Sequence, residues 1–240
     1  MKQLVSLVAV FAILFGIVQN VRAEEKKDAF TIELQTGVRN TYFDGWGGTS
    51  FYKGFSVPSS VTVTHNGTGL YAQLWHSFSP NGEEDGADET DRTLGIAVPL
   101  GPVCVDLSYS YYDLTGPVGY NAITLAVDLP KFEGVTPFVA VSKMYSTDSS
   151  VMPGYFLHKA GVKGSVKISD QPIDLCGYVS GFNGGGASEL ASILKLDAST
   201  TIKTGAVDII PQAGYKVPLQ GKVDPELFLG LDTVYAFGIK

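Results

Sequence analysis

The chain has 240 residues, with 24 acidic and 17 basic side chains and a formal net charge of −7. That charge argues against a nucleic-acid partner, since phosphate recognition needs a basic surface, and its 2 cysteines exclude a dense disulfide scaffold. An apolar share of 45% is too high for a disordered chain, and the length suits one large all-β domain or two small ones.

The first 23 residues have the features of a secretory signal peptide. Lys2 gives a positive start, residues 4–18 form an apolar run, and Val21-Arg22-Ala23 is typical of a cleavage site. The alternative is an N-terminal membrane anchor, for which the run is short. We therefore expect an exported mature domain over residues 24–240.

The remainder of the chain alternates apolar residues with small or polar ones. Leu227, Leu229 and Leu231 share one parity, for example, while Asp232 lies on the other. Because a strand places alternate side chains on opposite faces, each such segment predicts a strand with one apolar face. No segment has a convincing helical period, and the nearest candidate is a helical turn at 187–196. The predicted strands are 29–42, 55–66, 69–80, 90–101, 103–115, 120–130, 136–147, 154–168, 171–182, 189–204, 207–218 and 225–240.

Three kinds of protein fit this pattern: a soluble secreted β-sandwich that binds carbohydrate, a cell-surface β protein, and an outer-membrane β-barrel. The predicted strands are long enough to cross a bilayer, and an even strand number returns both termini to one side. Connections alternate between longer and shorter ones, as membrane barrels require. We therefore predict an all-β fold, a single antiparallel transmembrane β-barrel of about twelve strands. The longer connections are 43–54, 81–89, 116–119, 148–153, 183–188 and 219–224, and the shorter ones are 67–68, 102, 131–135, 169–170 and 205–206.

In a membrane barrel the apolar parity faces lipid and the other parity lines the lumen. Aromatic residues near predicted strand ends, such as Tyr109, Tyr111 and Tyr235, suit an interfacial girdle. The opposite parity is rich in small residues, which suits a crowded interior. The acidic loop 83–89 is a solvated loop on the simplest interpretation, and a cation-bridging or lipid-bridging site on the alternative.

The lumen parity also carries a charge pattern, with lysines on later strands and acids mostly on earlier ones. One interpretation is that these charges pair within a narrow, filled lumen. The other is a water-filled pore whose lysine track favours small anions. The predicted lumen-lining residues are Lys159, Lys163, Lys167, Lys195, Lys203, Lys216, Glu33, Arg39, Asp106 and Asp128.

One segment resembles a known family. The stretch Tyr52-Lys53-Gly54-Phe55-Ser56, and then Gly69-Leu70-Tyr71-Ala72-Gln73-Leu74-Trp75-His76-Ser77 followed by an acidic loop, resembles the TorF-like family of proteobacterial outer-membrane β-barrel proteins. The resemblance implies an exported barrel, plausibly a channel, and supplies no catalytic residues. The C-terminus departs from a common barrel pattern, because Lys240 stands where many such proteins end in an aromatic residue.

Little else in the sequence points to chemistry. The three histidines His65, His76 and His158 are far apart and have no metal-ligand spacing. Cys104 and Cys176 share the lumen parity on strands four apart, too distant for a disulfide, so we expect free thiols. We expect no enzymatic activity, cofactor or metal. The predicted function is a passive channel for small polar or anionic solutes, with a non-transporting structural or adhesive barrel as the alternative. The expected partners are outer-membrane lipid, the barrel-assembly machinery and small solutes.

Overall fold

The described residues form fifteen strands, and twelve of them close into one antiparallel ring. The other three are the short strands at 42–43, 50–52 and 202–204. Within the ring, strands that follow one another along the chain are hydrogen-bonded neighbours. The N-terminal strand pairs with the C-terminal one, and β12 pairs with β14, so the ring has no free edge. The strands are β1 Phe30–Arg39, β2 Tyr42–Phe43, β3 Ser50–Tyr52, β4 Val57–His65, β5 Leu70–Phe78, β6 Glu89–Leu100, β7 Val103–Leu114, β8 Tyr120–Asp128, β9 Val135–Ser146, β10 Tyr155–Ile168, β11 Gln171–Gly184, β12 Ala187–Ser199, β13 Ile202–Thr204, β14 Val207–Pro218 and β15 Glu226–Ile239.

This computed structural model describes most of the chain after the expected signal peptide. No helix in the part of the chain it describes is long and apolar enough to cross a membrane. The expected signal peptide and residues 83–87 of the acidic loop lie outside the described residues. The described ranges are 29–43, 50–52, 54–79, 88–114, 119–146, 154–184, 187–219 and 225–239.

The predicted barrel is confirmed, and each of the twelve predicted strands overlaps one barrel strand. Residues 187–196, for which a helical turn was the alternative to the predicted strand, belong to a strand. Strand β12 already begins at Ala187, which pairs with Gly184, because the hydrogen-bonded ladder with β11 continues to that point. The predicted strand 189–204 is interrupted at Thr200, whose side-chain hydroxyl donates to the Pro172 carbonyl at 2.7 Å. The β-sandwich alternative is also wrong, since the sheet closes.

Alternating residues lie on the convex and concave faces of the barrel. On β15, Leu227, Leu229 and Leu231 are exposed, whereas Phe228 and Asp232, which have the opposite parity, are 6% and 4% exposed. The exposed set is therefore outward, since the concave side of a closed sheet is the enclosed one. Three outward side chains on β6 and β7, Ile96, Val98 and Leu107, are buried together against Ile123.

The two ends of the barrel differ in their connections. One end, here called the turn end, holds both termini of the barrel, where Phe30 pairs with Ile239. One of its two-residue hairpins is the Ser169-Asp170 turn, in which both residues have positive φ, as the hairpin geometry requires. The opposite end, here called the loop end, holds the connections between β1 and β4, β5 and β6, β7 and β8, β9 and β10, β11 and β12, and β14 and β15.

Candidate functional site

The interior of the barrel is packed in its middle and toward the loop end, and open to solvent at the turn end. At the turn end, the inward side chains Glu33, Lys163, Ser165, Lys167 and Asp174 are exposed. Farther along, inward side chains are buried, many of them small. These buried residues are Ser60, Ser77, Glu89, Ser108, Ser110, Ala122, Ala140, Ser142, Leu157, Tyr178, Ser180, Ile193, Lys216, Phe228 and Asp232.

The strand registers place all ten predicted lumen residues on the inward parity. Lys159, Lys163 and Lys167 follow one another along β10 at every second inward position. Lys163 Nζ lies 2.7 Å from Asp128 Oδ2, across the intervening strand β9. Asp106 is also held in place, because the Tyr71 hydroxyl donates to its Oδ1 at 3.1 Å.

Two more lysines meet between β12 and β14. Lys195 and Lys216 are directly opposite each other in the register. Each has a carboxylate partner, with Lys195 Nζ 3.4 Å from Asp197 Oδ1 and Lys216 Nζ 2.8 Å from Glu226 Oε2. The Lys216 side chain is only 1% exposed, so this ion pair lies within the packed part of the interior.

An aromatic ring lies between Lys159 on β10 and Lys195 on β12. Lys159 Nζ lies 5.3 Å from the centroid of the Tyr178 ring, and Lys195 Nζ lies 5.8 Å from the same centroid. Lys195 is also 4.8 Å from the centroid of the Phe228 ring. Such cation–π contacts hold an ammonium group without neutralising its charge. The cluster of Lys159, Lys195, Lys216, Tyr178 and Phe228 is called the lysine–aromatic cluster below.

The two rings of this cluster lie against glycines on the neighbouring strand. Tyr178 is opposite Gly161 and Phe228 is opposite Gly214 in the register. A Cβ atom at Gly161 would meet the Gly177 carbonyl oxygen and the Tyr178 Cβ atom. A Cβ atom at Gly214 would overlap the Phe228 ring, so the absence of a side chain there lets the ring lie along the wall. Tyr71 lies over Gly95 in the same way.

Arg39, the remaining base, belongs to a separate network centred on Asp232. Asp232 Oδ2 accepts hydrogen bonds from Gln35 Nε2 at 2.7 Å, from Gln212 Nε2 at 2.8 Å and from Arg39 at 3.3 Å. This one carboxylate therefore ties its strand β15 to both neighbours, β1 and β14. Asp232 is 4% exposed, and the network compensates for the loss of its hydration.

The structure thus brings some of the predicted residues together and leaves others apart. Lys159, Lys195 and Lys216 converge, and Lys163 meets Asp128. Glu33, Lys167 and Lys203 stay near the turn end and take part in none of these contacts. Sequence reasoning missed the part played by the buried partners Tyr178, Glu226 and Phe228 and by the Asp232 network. Their inward parity was readable from the alternation, but the contacts depend on pairings between distant strands.

Among the described residues, no group of three or more His, Cys, Asp or Glu side chains is placed to hold a metal ion. Cys104 and Cys176 are free thiols, as expected. Cys104 pairs in the register with Asp128, and Cys176 lies between Lys163 and Asp197 on its two neighbouring strands. The surroundings of Cys176 hold more lysines than acids, and those of Cys104 hold more acids than lysines.

Comparison with known proteins identifies the fold. No family model and no curated protein matches the sequence. The structure is similar to that of the KdgM porin, with a TM-score of 0.56 and 5% identity over 86% of this chain and 99% of that one. It is similar to the COG4313 outer membrane channel from Pseudomonas putida F1, with a TM-score of 0.56 and 12% identity over 89% of this chain and 97% of that one. The fold is that of an outer-membrane β-barrel.

Proposed function

We propose that the protein is an outer-membrane barrel that acts as a passive channel for small polar solutes and favours anions. The observation that carries this proposal is the division of the closed barrel into two faces. The outward face exposes apolar side chains such as Leu74, Leu125 and Leu229, which only lipid covers favourably. The inward face carries the polar and charged groups, with Lys163 and Lys167 exposed at the turn end.

The preference for anions rests on the lysine–aromatic cluster. A solute moving from the open turn end toward the loop end passes Lys167 and Lys163 and then reaches Lys159 and Lys195. Lys163 lies 2.7 Å from Asp128 and Lys195 lies 3.4 Å from Asp197, so these carboxylates weaken the positive field of the two lysines while leaving their side chains on the inner wall. In the packed part of the interior, water screens charge less effectively than at the open end, so the remaining field acts strongly on an ion.

The similar solved structures support the proposal that this protein is a barrel channel, but they do not indicate its solute. The KdgM porin is described in complex with disordered oligogalacturonate, but at 5% identity the two barrels share the fold. The solute preference of this chain therefore rests on its own lysines. The segment 52–77 supports placing the chain in the TorF-like family, and a barrel of this kind requires the barrel-assembly machinery for insertion.

Planar-bilayer recordings test the proposal. The wild-type barrel should give discrete conductance steps and, in a salt gradient, a reversal potential that indicates anion preference. The triple variant Lys159→Glu, Lys163→Glu and Lys167→Glu should shift that potential toward cation preference. Lys131→Glu, in an exposed turn at the turn end, is the matched control and should leave it unchanged. Heat-modifiable gel migration verifies that each variant is folded.

Two outcomes would contradict the proposal. An unchanged reversal potential in a folded triple variant would remove the lysines from any role in selectivity. Absence of conductance in a folded wild-type barrel would favour the second candidate, a non-transporting structural or adhesive barrel. That candidate has its own support, because Lys216, Ser142 and Ala122 are 1%, 0% and 0% exposed in the interior.

A further inference from the structure

The outward face of the barrel is almost free of charge. Among the outward positions of the described barrel strands, formal charges occur only at Arg92 on β6, Asp113 on β7 and Lys143 on β9. All three lie toward the loop end and on one side of the barrel. The three charged side chains are therefore confined to one region of the outward face, while the other outward positions of the described barrel strands carry no formal charge.

These charged residues are set in a belt of aromatic and polar side chains. The register aligns Arg92, Tyr111, Asn121 and Tyr145 in one row across four adjacent strands. The next row toward the barrel middle contains Tyr109, Ile123 and Lys143. The Tyr109 hydroxyl donates to Asn121 Oδ1 and so connects the two rows. The outer belt is defined here as Arg92, Tyr109, Tyr111, Asn121, Lys143 and Tyr145.

Both cations of the outer belt are held by rings and remain accessible. The Arg92 guanidinium lies 5.6 Å from the centroid of the Tyr111 ring, and Lys143 Nζ lies 5.6 Å from the centroid of the Phe156 ring. Arg92 also approaches Asp113 at 3.5 Å, but the two side chains are 56% and 46% exposed. An ion pair this long and this exposed contributes little, so Arg92 remains able to bind another anion.

The position of the outer belt indicates what that anion is. Aromatic side chains at this level mark the boundary between the hydrocarbon layer and the headgroups. Below the belt, Leu125 and Val141 are exposed and apolar, as is Leu94 beside Tyr109 in the lower row, so an acyl chain packed there would bring its headgroup to the level of the cations. Guanidinium and ammonium groups at this depth bind phosphate by charge-assisted hydrogen bonds.

We propose that the outer belt is a binding site for a lipid of the leaflet at the loop end whose headgroup carries two phosphates. Arg92 and Lys143 lie on strands three steps apart, roughly 14 Å at the usual strand spacing, and in adjacent rows, which adds an offset of about 7 Å along the strands. The separation suits a headgroup that carries two phosphates, one for each cation, better than a single phosphate. The proposal rests on the membrane insertion assumed in the proposed function, and it does not depend on conduction.

Native mass spectrometry of the full barrel tests the site. Wild-type protein is released from micelles that contain bis-phosphorylated lipid A, monophosphoryl lipid A, phosphatidylglycerol or phosphatidylcholine. We expect retention in that order, with phosphatidylcholine lost most readily. The double variant Arg92→Gln and Lys143→Gln should retain bis-phosphorylated lipid A at least about tenfold less. A tenfold loss is what removal of one charge-assisted contact would cause, and the variant removes two cations. Lys131→Gln, an exposed lysine at the opposite end, should match wild type.

The controls keep this test separate from that of the channel. Arg92→Lys, which preserves the charge, should recover most of the retention if the double variant lowers it through charge rather than folding. Equal retention of bis-phosphorylated lipid A by wild type and the double variant would overturn the proposal. Equal retention of phosphatidylglycerol and lipid A would also overturn it, since only general attraction would remain. Bilayer conductance of the same double variant should equal that of wild type, whatever its lipid binding.

Discussion

Lys195 and Lys216 face each other directly across β12 and β14, a like-charge pair in the packed interior of the barrel. Like charges opposite each other destabilise a sheet, so each ammonium group depends on a partner on its other side. Lys195 has Asp197 at 3.4 Å and two aromatic rings, and Lys216 has Glu226 at 2.8 Å. The sheet therefore tolerates these two cations side by side because Asp197 on β12, Tyr178 on β11 and groups on β15 compensate for their repulsion.

Removing the carboxylate of Glu226 should show how much the repulsion between Lys195 and Lys216 destabilises the barrel. We expect Glu226→Gln to lower the free energy of unfolding by about 3 kcal/mol, because it leaves a buried ammonium group beside another cation. Urea unfolding in lipid vesicles, followed by tryptophan fluorescence, measures the change. Glu33→Gln, on the exposed inward face at the turn end, is the control and should stay within about 0.5 kcal/mol of wild type. A loss as small as the control in Glu226→Gln would contradict the expectation.

Asp232 is the second position where the interior depends on one carboxylate. It accepts hydrogen bonds from both neighbouring strands, through Gln35 on one side and Gln212 on the other. Asp232→Ala should cost about 3 kcal/mol or more, since it leaves Arg39 and two amide donors without their acceptor. The same unfolding assay checks the value, and the exposed inward residue Asp174 supplies the control as Asp174→Asn. If both variants lose equally little stability, the network does not hold the three strands together.

The glycine beneath Tyr71 should control the width of the interior. Gly95→Val places a side chain where the Tyr71 ring now lies, so the ring must move toward the barrel axis and lose its bond to Asp106. We expect a lower single-channel conductance and a loss of about 1–3 kcal/mol in stability. Gly177→Val is the comparison, because Gly177 faces outward and the nearest atom to its added Cβ is the flexible end of Leu196. A fall in conductance for Gly177→Val alone would contradict this explanation.

The two free thiols report on the charge at two places on the inner wall. Near Cys176 lie three lysines, Lys159, Lys163 and Lys195, and one acid, Asp197. Near Cys104 lie two acids, Asp106 and Asp128, and one lysine, Lys163. An anionic methanethiosulfonate reagent should therefore modify Cys176 relatively faster, and a cationic one should modify Cys104 relatively faster. Rates are measured on the single variants Cys104→Ser and Cys176→Ser in vesicles and normalised to the rates with free cysteine. The same reagent preference at both thiols would show that no field runs across the interior.

Much of the architecture could be predicted from alternation alone. In β15, the parity of Leu227, Leu229 and Leu231 predicted both the strand and its apolar face, because a strand has only two faces to which side chains can point. The hairpin at Ser169-Asp170 was likewise predictable, since short polar turn residues between two alternating segments favour reversal of the chain. At 187–196, where a helical turn was the alternative to the predicted strand, pairing with β11 overrides a weak local preference and gives the strand.

By itself, the sequence determined the number of barrel strands, the positions of most turns and the inward parity of the six lysines predicted to line the lumen, because these follow from local chemistry and a period of two. Only the tertiary structure decided which charges meet. Asp232 contacts Gln35 because closure of the barrel pairs the first strand with the last. Glu226 contacts Lys216 because the register of β14 with β15 sets them opposite each other. The registers of β6 to β9 likewise placed Arg92 and Lys143 on one outer sector, which no alternation of residues along a single strand specifies.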